Sequence, residues 1–271
     1  MSEPLTLALH SVMDCLATPL LERGIPQLLT FGLQEGLIKH VRDEHKSLIE
    51  HFPRSLVPLE QVDSKAIHLV NDKNEFAALS EHGKVAIYLT FSEDDPKKHG
   101  GDGLVIRLHD VLSADRSTPH GSMFHDWWQF AHTGQTPPLD GSGAYWCSPD
   151  DVAEGLLRLI GSGKAISGTI DVCGRRFWGM EDTWNEFQML VSRTVAGHEA
   201  SFHLAHLKAD GGPAVHVEDL SVNSRKKARP SLEAVHDLLL EASGEGWNPR
   251  TPLRQSLMLI VADLCQHYGL D

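Results

Sequence analysis

The amino-acid sequence predicts an α/β protein with a mainly parallel sheet, and three segments support this fold class. Residues 5–24 (LTLALHSVMDCLATPLLERG) begin with a short apolar run typical of a strand and continue with apolar residues at helical spacing, ending at Arg23 and Gly24. Residues 84–91 (KVAIYLTF) and 103–112 (GLVIRLHDVL) are almost continuously apolar. Such runs are typical of strands that a parallel sheet buries on both faces.

The other segments of the first half alternate between strand and helix patterns. Residues 26–32 (PQLLTFG) and 65–71 (KAIHLVN) predict strands, whereas residues 35–52 and 74–82 predict helices. Residues 92–102 are polar and charged, and they predict a loop. A strand that leads into a helix at the start of such an alternation is how a Rossmann unit begins, so we expect a Rossmann-like, doubly wound sheet.

The second half continues the alternation with a larger share of helix. Residues 123–132 predict an aromatic-rich helix, and residues 168–174 (GTIDVCG) predict a strand. The segments 144–160, 181–195 and 252–264 are interpreted below through their resemblance to a known family.

Several of these segments resemble, in the same order, those of extended short-chain dehydrogenases, in particular the dTDP-4-dehydrorhamnose reductases and the related epimerase-dehydratases. LATPLLERG at 16–24 resembles their first helix, and DDVA at 150–153 resembles a recurring helix start. Residues 181–195, 222–227 (VNSRKK) and 252–264 resemble their "sWyeF" element, their "NSRL" segment and their C-terminal helix. The resemblance implies a Rossmann-like core in residues 1–115, continued by 143–177, and a small C-terminal substrate lobe made of 116–142 and 178–271.

The sequence departs from this family at the glycine turn that seats a dinucleotide. Glycine is needed there because only a residue without a side chain lets the backbone reach the pyrophosphate. Counting back from Gly24 without gaps, the glycine positions fall on Leu7, His10 and Met13, and residues 1–23 contain no glycine. We therefore expect no cofactor; the resemblance itself implies NAD(P).

The family's catalytic pair is also missing from the sequence. These enzymes use a tyrosine as general acid or base and a lysine four residues later that lowers its pKa. The residue four positions after Tyr88 is Ser92, the one after Tyr145 is Pro149, and Tyr268 lies near the end of the chain. The segment 92–102 is too short for the helix that carries the pair. The remaining catalytic candidates lie near the ends of two predicted strands: Thr90, His109 and Asp110.

The substrate-binding candidates come from the segments that resemble the family and from the composition around them. Trp128 is a core residue of the lobe or, alternatively, a platform on which a nucleobase stacks. A basic run at 225–229 is a solvated loop or, alternatively, a clamp for a diphosphate. The candidates are Arg107, Trp128, Trp146, Ser148, Arg225 and Lys226.

Two groups of histidine-containing residues are candidate functional sites. The first comprises His198, His203, His206 and His216; its spacing does not match HExxH, and SFHLAHL at 201–207 alternates like a strand, so no metal is expected. The second comprises His120, His125 and Asp126, which line a pocket or form a polar helix face.

Composition limits the classes of partner. A net charge of −13 argues against nucleic acid, and the lack of a long apolar run argues against a membrane span. Four scattered cysteines without a CxxC pair favour reduced thiols and a cytoplasmic location. The expected partners are therefore a nucleotide-sugar, a protein, or a second copy of the chain.

Three functions remain open at this point. The first is a non-catalytic nucleotide-sugar-binding or regulatory relative of the dTDP-4-dehydrorhamnose reductases. The second is an NAD(P)-dependent reductase or epimerase of nucleotide-sugars with an atypical site, which would use His109 or Asp110 for proton transfer. The third is a structural or assembly protein.

Overall fold

The computed structural model describes residues 5–10, 14–91, 103–139, 143–164, 167–207 and 227–270. The strands in this part of the chain are β1 (Thr6–Leu9), β2 (Thr30–Leu33), β3 (Leu56–Pro58), β4 (Ile67–Val70), β5 (Val85–Thr90), β6 (Leu104–Leu108) and β7 (Gly168–Val172). The α-helices are α1 (Asp14–Gly24), α2 (Glu35–Glu44), α3 (Lys46–His51), α4 (Lys73–Glu81), α5 (Gly121–Thr133), α6 (Pro149–Gly161), α7 (Met180–His198), α8 (Leu204–Leu207), α9 (Glu233–Ser243) and α10 (Leu253–Tyr268).

The chain divides into two compact units. Unit 1 comprises Met1–His109, Pro149–Cys173 and Pro230–Arg250; unit 2 comprises Asp110–Ser148, Gly174–Arg229 and Thr251–Asp271. The sequence predicts that Pro230–Arg250 belongs to the second lobe, whereas in the structure this segment belongs to unit 1. The reason is that its helix α9 packs against β7 and α6.

Unit 1 contains a seven-stranded sheet in the order β3-β2-β1-β4-β5-β6-β7, and every neighbouring pair is parallel. This confirms the predicted Rossmann-like α/β fold. The register places Ala8 opposite His68, and Arg107 opposite both Thr90 and Asp171. Because all strands are parallel, their carboxyl ends lie along one edge of the sheet, where open α/β sheets bind ligands.

Apolar strand residues form the centre of unit 1, and one helix approaches closely through a glycine. Leu7, Leu69 and Leu89 are fully buried. A Cβ atom on Gly155 of α6 would lie 2.8 Å from the ring of Trp247. The Trp247 ring is fixed by its own hydrogen bond, because Nε1 donates to the Cys173 carbonyl at 2.9 Å.

Unit 2 is held together by aromatic side chains of α5, α7 and α10. A tight group of rings is buried there: Phe124, Trp127, Trp128, Trp184 and Phe187. Two buried polar side chains next to these rings have partners, as buried polar groups usually do. Trp146 Nε1 donates to Thr183 Oγ1 at 2.9 Å, and the His125 ring lies 3.0 Å from both Tyr268 Oη and the Ala114 carbonyl.

Several predicted elements differ from the observed ones. The second strand begins at Thr30 rather than at residue 26, because Ile25–Gln27 form a 3₁₀ turn that ends at Leu28 with a φ of 62°. The helix predicted over 35–52 is two helices separated at His45. Around His203 the prediction of a strand pattern is wrong, since Leu204–Leu207 form a helical turn.

No described helix has both the length and the apolar character needed to cross a bilayer.

Candidate functional site

The carboxyl ends of β6 and β7 carry a connected group of three polar side chains in unit 1. His109 Nε2 lies 2.7 Å from Asp171 Oδ1, and Arg107 Nη2 donates to Asp171 Oδ2 at 2.6 Å. The register explains the geometry. Arg107 and Asp171 are directly opposite on neighbouring strands, and the backbone N–H of His109 donates to the Val172 carbonyl at 2.8 Å. We refer to these three residues as the β6–β7 triad.

The hydrogen bonds of the triad define what each side chain can still do. A carboxylate only accepts, so His109 Nε2 carries a proton and donates it to Asp171, and in the neutral ring Nδ1 is an acceptor. Arg107 Nε is buried and has no hydrogen-bond partner among the described residues. The triad therefore offers one oriented imidazole acceptor and one unused guanidinium donor.

A second polar group follows β1. His10 Nε2 lies 2.8 Å from His68 Nδ1, and His10 Nδ1 lies 2.6 Å from Glu75 Oε1 on α4. Burial is the largest influence on His68 and, with the positive potential of His10 and Lys84, it lowers the pKa of that ring to about 4.

The sequence after β1 lacks the glycine turn at which a dinucleotide pyrophosphate usually binds. Leu7 lies inside β1, paired with Phe31 and Ile67, so the gapless count that places a glycine position there is wrong. His10 follows the strand, and its ring is bonded on both nitrogens. Met13 lies outside the described residues. A pyrophosphate needs glycine here, because only a residue without a side chain lets the backbone come close to it. The sequence from His10 to Met13 contains no glycine.

Asp110 of unit 2 is a buried carboxylate with three donors. Its side chain is 1% exposed, and its φ is 52°. Lys227 Nζ donates to Oδ1 at 2.7 Å, His120 Nε2 lies 3.2 Å from the same oxygen, and the Tyr145 N–H donates to Oδ2 at 2.8 Å. Burial by itself raises the pKa of Asp110, but the hydrogen bonds from His120, Lys227 and Tyr145 outweigh it and lower the pKa to about 2. Both oxygens are thus occupied within unit 2.

The other predicted candidates lie in different surroundings. Thr90 is buried at the end of β5, opposite Arg107. Trp128 is 2% exposed and stacks on Tyr268, a placement that matches the core alternative and not a stacking platform for a nucleobase. Trp146 and Ser148 are also buried. Arg225 and Lys226 lie outside the described residues.

The histidines considered above as metal ligands do not form a metal site in the described part of the chain. His203 Nδ1 and His206 Nδ1 are 2.5 Å apart on the surface, and His216 lies outside the described residues. No group of three or more potential ligands occurs among the described residues. His120 and His125 are not on a polar helix face, because His120 contacts Asp110 and His125 is buried; Asp126 alone is exposed.

Sequence reasoning missed three of the residues described above: Asp171, His68 and Glu75. Lys227 belongs to the basic run at 225–229, but its contact with Asp110 was not predicted. A signal was present for two of the three missed residues. Asp171 interrupts GTIDVCG and His68 interrupts KAIHLVN, and a polar residue inside a buried strand needs a partner. The partners themselves come from other strands and helices, which a single sequence does not pair.

Fold and site together define a Rossmann-like α/β protein with polar side chains at the carboxyl edge of its sheet. No known family profile and no curated protein match the chain. Among solved structures, the Bordetella bronchiseptica enzyme WbmF, in complex with NAD+ and UDP, is 11% identical, with coverage of 98% of this chain and 95% of that chain and a TM-score of 0.53. WbmH from the same organism, in complex with NAD+, is 10% identical, with coverage of 98% and 100% and a TM-score of 0.57. RMD from Pseudomonas aeruginosa, complexed with NADPH, is 15% identical, with coverage of 97% and 99% and a TM-score of 0.50. At these identities the likeness is one of fold.

Proposed function

We propose that this chain binds a nucleotide-sugar at the carboxyl edge of its sheet and does so without hydride transfer. The observation that carries the proposal is the β6–β7 triad. It combines a guanidinium with an unused N–H and an imidazole held in one orientation, at the edge where open α/β sheets bind their ligands.

The chemistry of the triad suits a ligand rich in hydroxyl and phosphate oxygens. The Arg107 side chain is 29% exposed, and its guanidinium is a charged donor. Charge-assisted hydrogen bonds to phosphate oxygens are among the stronger ones in proteins. His109 Nδ1 can accept a hydrogen bond from a sugar hydroxyl while Asp171 holds the ring. Asp171 is a positioning residue in this arrangement, because its two oxygens hold the other two side chains.

The proposal of binding without hydride transfer rests on the sequence and on the residues after β1. No Tyr-x-x-x-Lys occurs in the chain. The glycine turn is absent, and the ring of His10 is engaged by His68 and Glu75. A regulatory role, with a protein or a second copy of the chain as partner, and a cytoplasmic location remain predictions from the sequence.

A second candidate function is an NAD(P)-dependent reductase or epimerase of nucleotide-sugars. The solved structures of similar fold support it more than they support a non-catalytic role, since they hold NAD+, NADH or NADPH and one holds UDP. The triad adds a specific observation, because a histidine oriented by a carboxylate can take up or release a proton at Nδ1. We assign no residues to the dinucleotide, because the turn after β1 does not fit it.

Ligand-induced thermal stabilisation separates the candidates, since any ligand that binds only the folded state raises Tm. UDP-glucose, dTDP-glucose, NADH and NADPH would each be titrated against the wild-type chain and the His109→Gln and Arg107→Gln variants. His40→Gln is the matched control, because His40 is exposed on α2 and its ring pairs with Glu44 on the same helix.

We expect stabilisation by a nucleotide-sugar that the two triad variants lose and the control keeps, with no stabilisation by either dinucleotide. Stabilisation by NADH or NADPH together with turnover of a nucleotide-sugar would establish the second candidate. If no compound raises Tm, both candidates fail and the assembly protein is favoured.

A further inference from the structure

A chain of three titratable side chains ties the end of the first strand to two other elements of unit 1. Glu75 on α4 contacts His10 Nδ1 at 2.6 Å, and His10 Nε2 lies 2.8 Å from Nδ1 of His68 on β4. The two rings are 5.1 Å apart between centroids. His68 is 8% exposed, and its Nε2 is buried without a hydrogen-bond partner among the described residues.

The protons on this chain can be assigned from its acceptors. The Glu75 carboxylate accepts, so His10 Nδ1 carries a proton, and in the neutral ring Nε2 is then an acceptor. His68 Nδ1 must therefore donate to His10 Nε2, which leaves the buried His68 Nε2 without a proton. The contact between the rings needs one proton in the 2.8 Å gap, and it is satisfied when both rings are neutral.

A further proton is unfavourable at either available position. On His10 Nε2 it would face the N–H of His68 across the same gap, unless the His68 proton moved to its buried Nε2. On His68 Nε2 a proton would lie on a buried atom that has no acceptor among the described residues. The titratable groups around His68 are His10 after β1, Glu75 from α4 and Lys84 before β5, and of these only Glu75 raises the pKa of His68.

We propose that the Glu75–His10–His68 chain is an acid-sensitive clamp that holds the end of the first strand to β4 and α4 at neutral pH and releases it in acid. A backbone hydrogen bond supports the same attachment, because the His10 N–H donates to the Leu69 carbonyl of β4 at 3.1 Å. Release of the clamp would break this hydrogen bond. The clamp thus makes the contacts of His10 with β4 and α4 depend on pH.

The sign of the pH effect follows from proton binding in the two states. Folding lowers the pKa of the His68 ring from 6.5 to about 4, so the unfolded chain binds more protons between these values. The stabilisation is present above pH 6.5 and is lost as the pH falls towards 4. Between pH 7.5 and 5 this linkage raises the unfolding equilibrium constant about thirtyfold, and about fifteenfold if the folded pKa lies one unit higher.

The test compares urea unfolding of the wild-type chain, His68→Gln and His82→Gln at pH 7.5 and 5. Glutamine can donate a hydrogen bond to His10 and does not titrate. On acidification, the unfolding equilibrium constant of the His68 variant should therefore rise by a factor about ten- to thirtyfold smaller than that of wild type. His82 is the matched control because it is exposed at the end of α4, where its ring contacts the Ala78 carbonyl of the same helix. Equal pH dependence of wild type and His68→Gln would overturn the proposal.

Two measurements on the wild-type chain keep the proposal testable if the His68 variant does not fold. Imidazole ¹⁵N shifts should show the His68 ring neutral at pH 5.5. Amide hydrogen exchange, corrected for its intrinsic pH dependence, should report loss of protection at His10 between pH 6 and 4. A His68 ring that titrates near 6.5, or protection at His10 that does not change with pH, would refute the clamp.

Discussion

Replacing Asp110 by asparagine is expected to destabilise unit 2 strongly, although the two side chains have almost the same shape. Asp110 has a φ of 52°, and aspartate and asparagine both tolerate this left-handed backbone region. The substitution therefore tests the charge and its hydrogen bonds without adding backbone strain.

The magnitude can be worked from the pKa and, separately, from the hydrogen bonds. The pKa of Asp110 falls from 3.8 to about 2 on folding, which corresponds to about 2.5 kcal/mol of stability at neutral pH. An asparagine has one acceptor oxygen, so it cannot face Lys227 and the Tyr145 N–H at once, and a lost charge-assisted bond costs about 1.5–3 kcal/mol. We expect a loss of about 2–4 kcal/mol.

The assay is thermal unfolding followed by near-UV circular dichroism, with Asp126→Asn as the control because Asp126 is exposed in the same unit. For a chain of this size the loss should lower Tm by about 4–12 °C at pH 7. Because folding depresses the pKa of Asp110, its contribution is complete above pH 3.8 and is lost as the pH falls towards 2. The gap between variant and wild type should therefore shrink to about half at pH 3. A Tm within 1 °C of wild type at pH 7, or a gap that does not depend on pH, would refute the reasoning.

Two further substitutions test the packing of each unit. Gly155→Ala places a methyl group 2.8 Å from the Trp247 ring, so we expect a loss of about 1–3 kcal/mol and a shifted tryptophan emission. Gly161→Ala at the end of the same helix meets nothing within 4 Å and should not destabilise the chain, and equal effects of the two variants would contradict the close approach. Tyr268→Phe removes the hydroxyl that lies 3.0 Å from the His125 ring, and chemical denaturation should show a loss of about 1 kcal/mol, whereas an unchanged midpoint would argue against this bond.

Much of the fold could be predicted from the sequence because buried parallel strands appear there as short, mainly apolar runs. β4, β5, β6 and β7 lie within the predicted ranges for this reason. β3 was missed because it has three residues, too few for a periodic pattern. The helix α9 was missed although Val235 and Leu239, its buried residues, have helical spacing.

Of the β6–β7 triad, only the two residues on or next to β6 could be predicted from the sequence. Arg107 and His109 could be predicted because Arg107 lies in an apolar run and His109 lies near its end, in a segment that resembles a known family. Asp171, which joins them, comes from the neighbouring strand, and the pairing depends on a register that a single sequence does not specify. For the same reason the contact of His10 with His68 could not be foreseen, since β1 and β4 are far apart in the chain and adjacent only in the sheet.

The short edge strand β3 has a consequence for how copies of this molecule can associate. Its last residue, Pro58, has no N–H, and only Leu56 and Val57 remain as amide donors in the strand. A neighbouring chain therefore finds almost no ladder to extend on this side, which is a common way in which proteins avoid sheet-to-sheet aggregation. If the chain forms a homodimer, we expect the contact to use side chains rather than a sheet continued through β3.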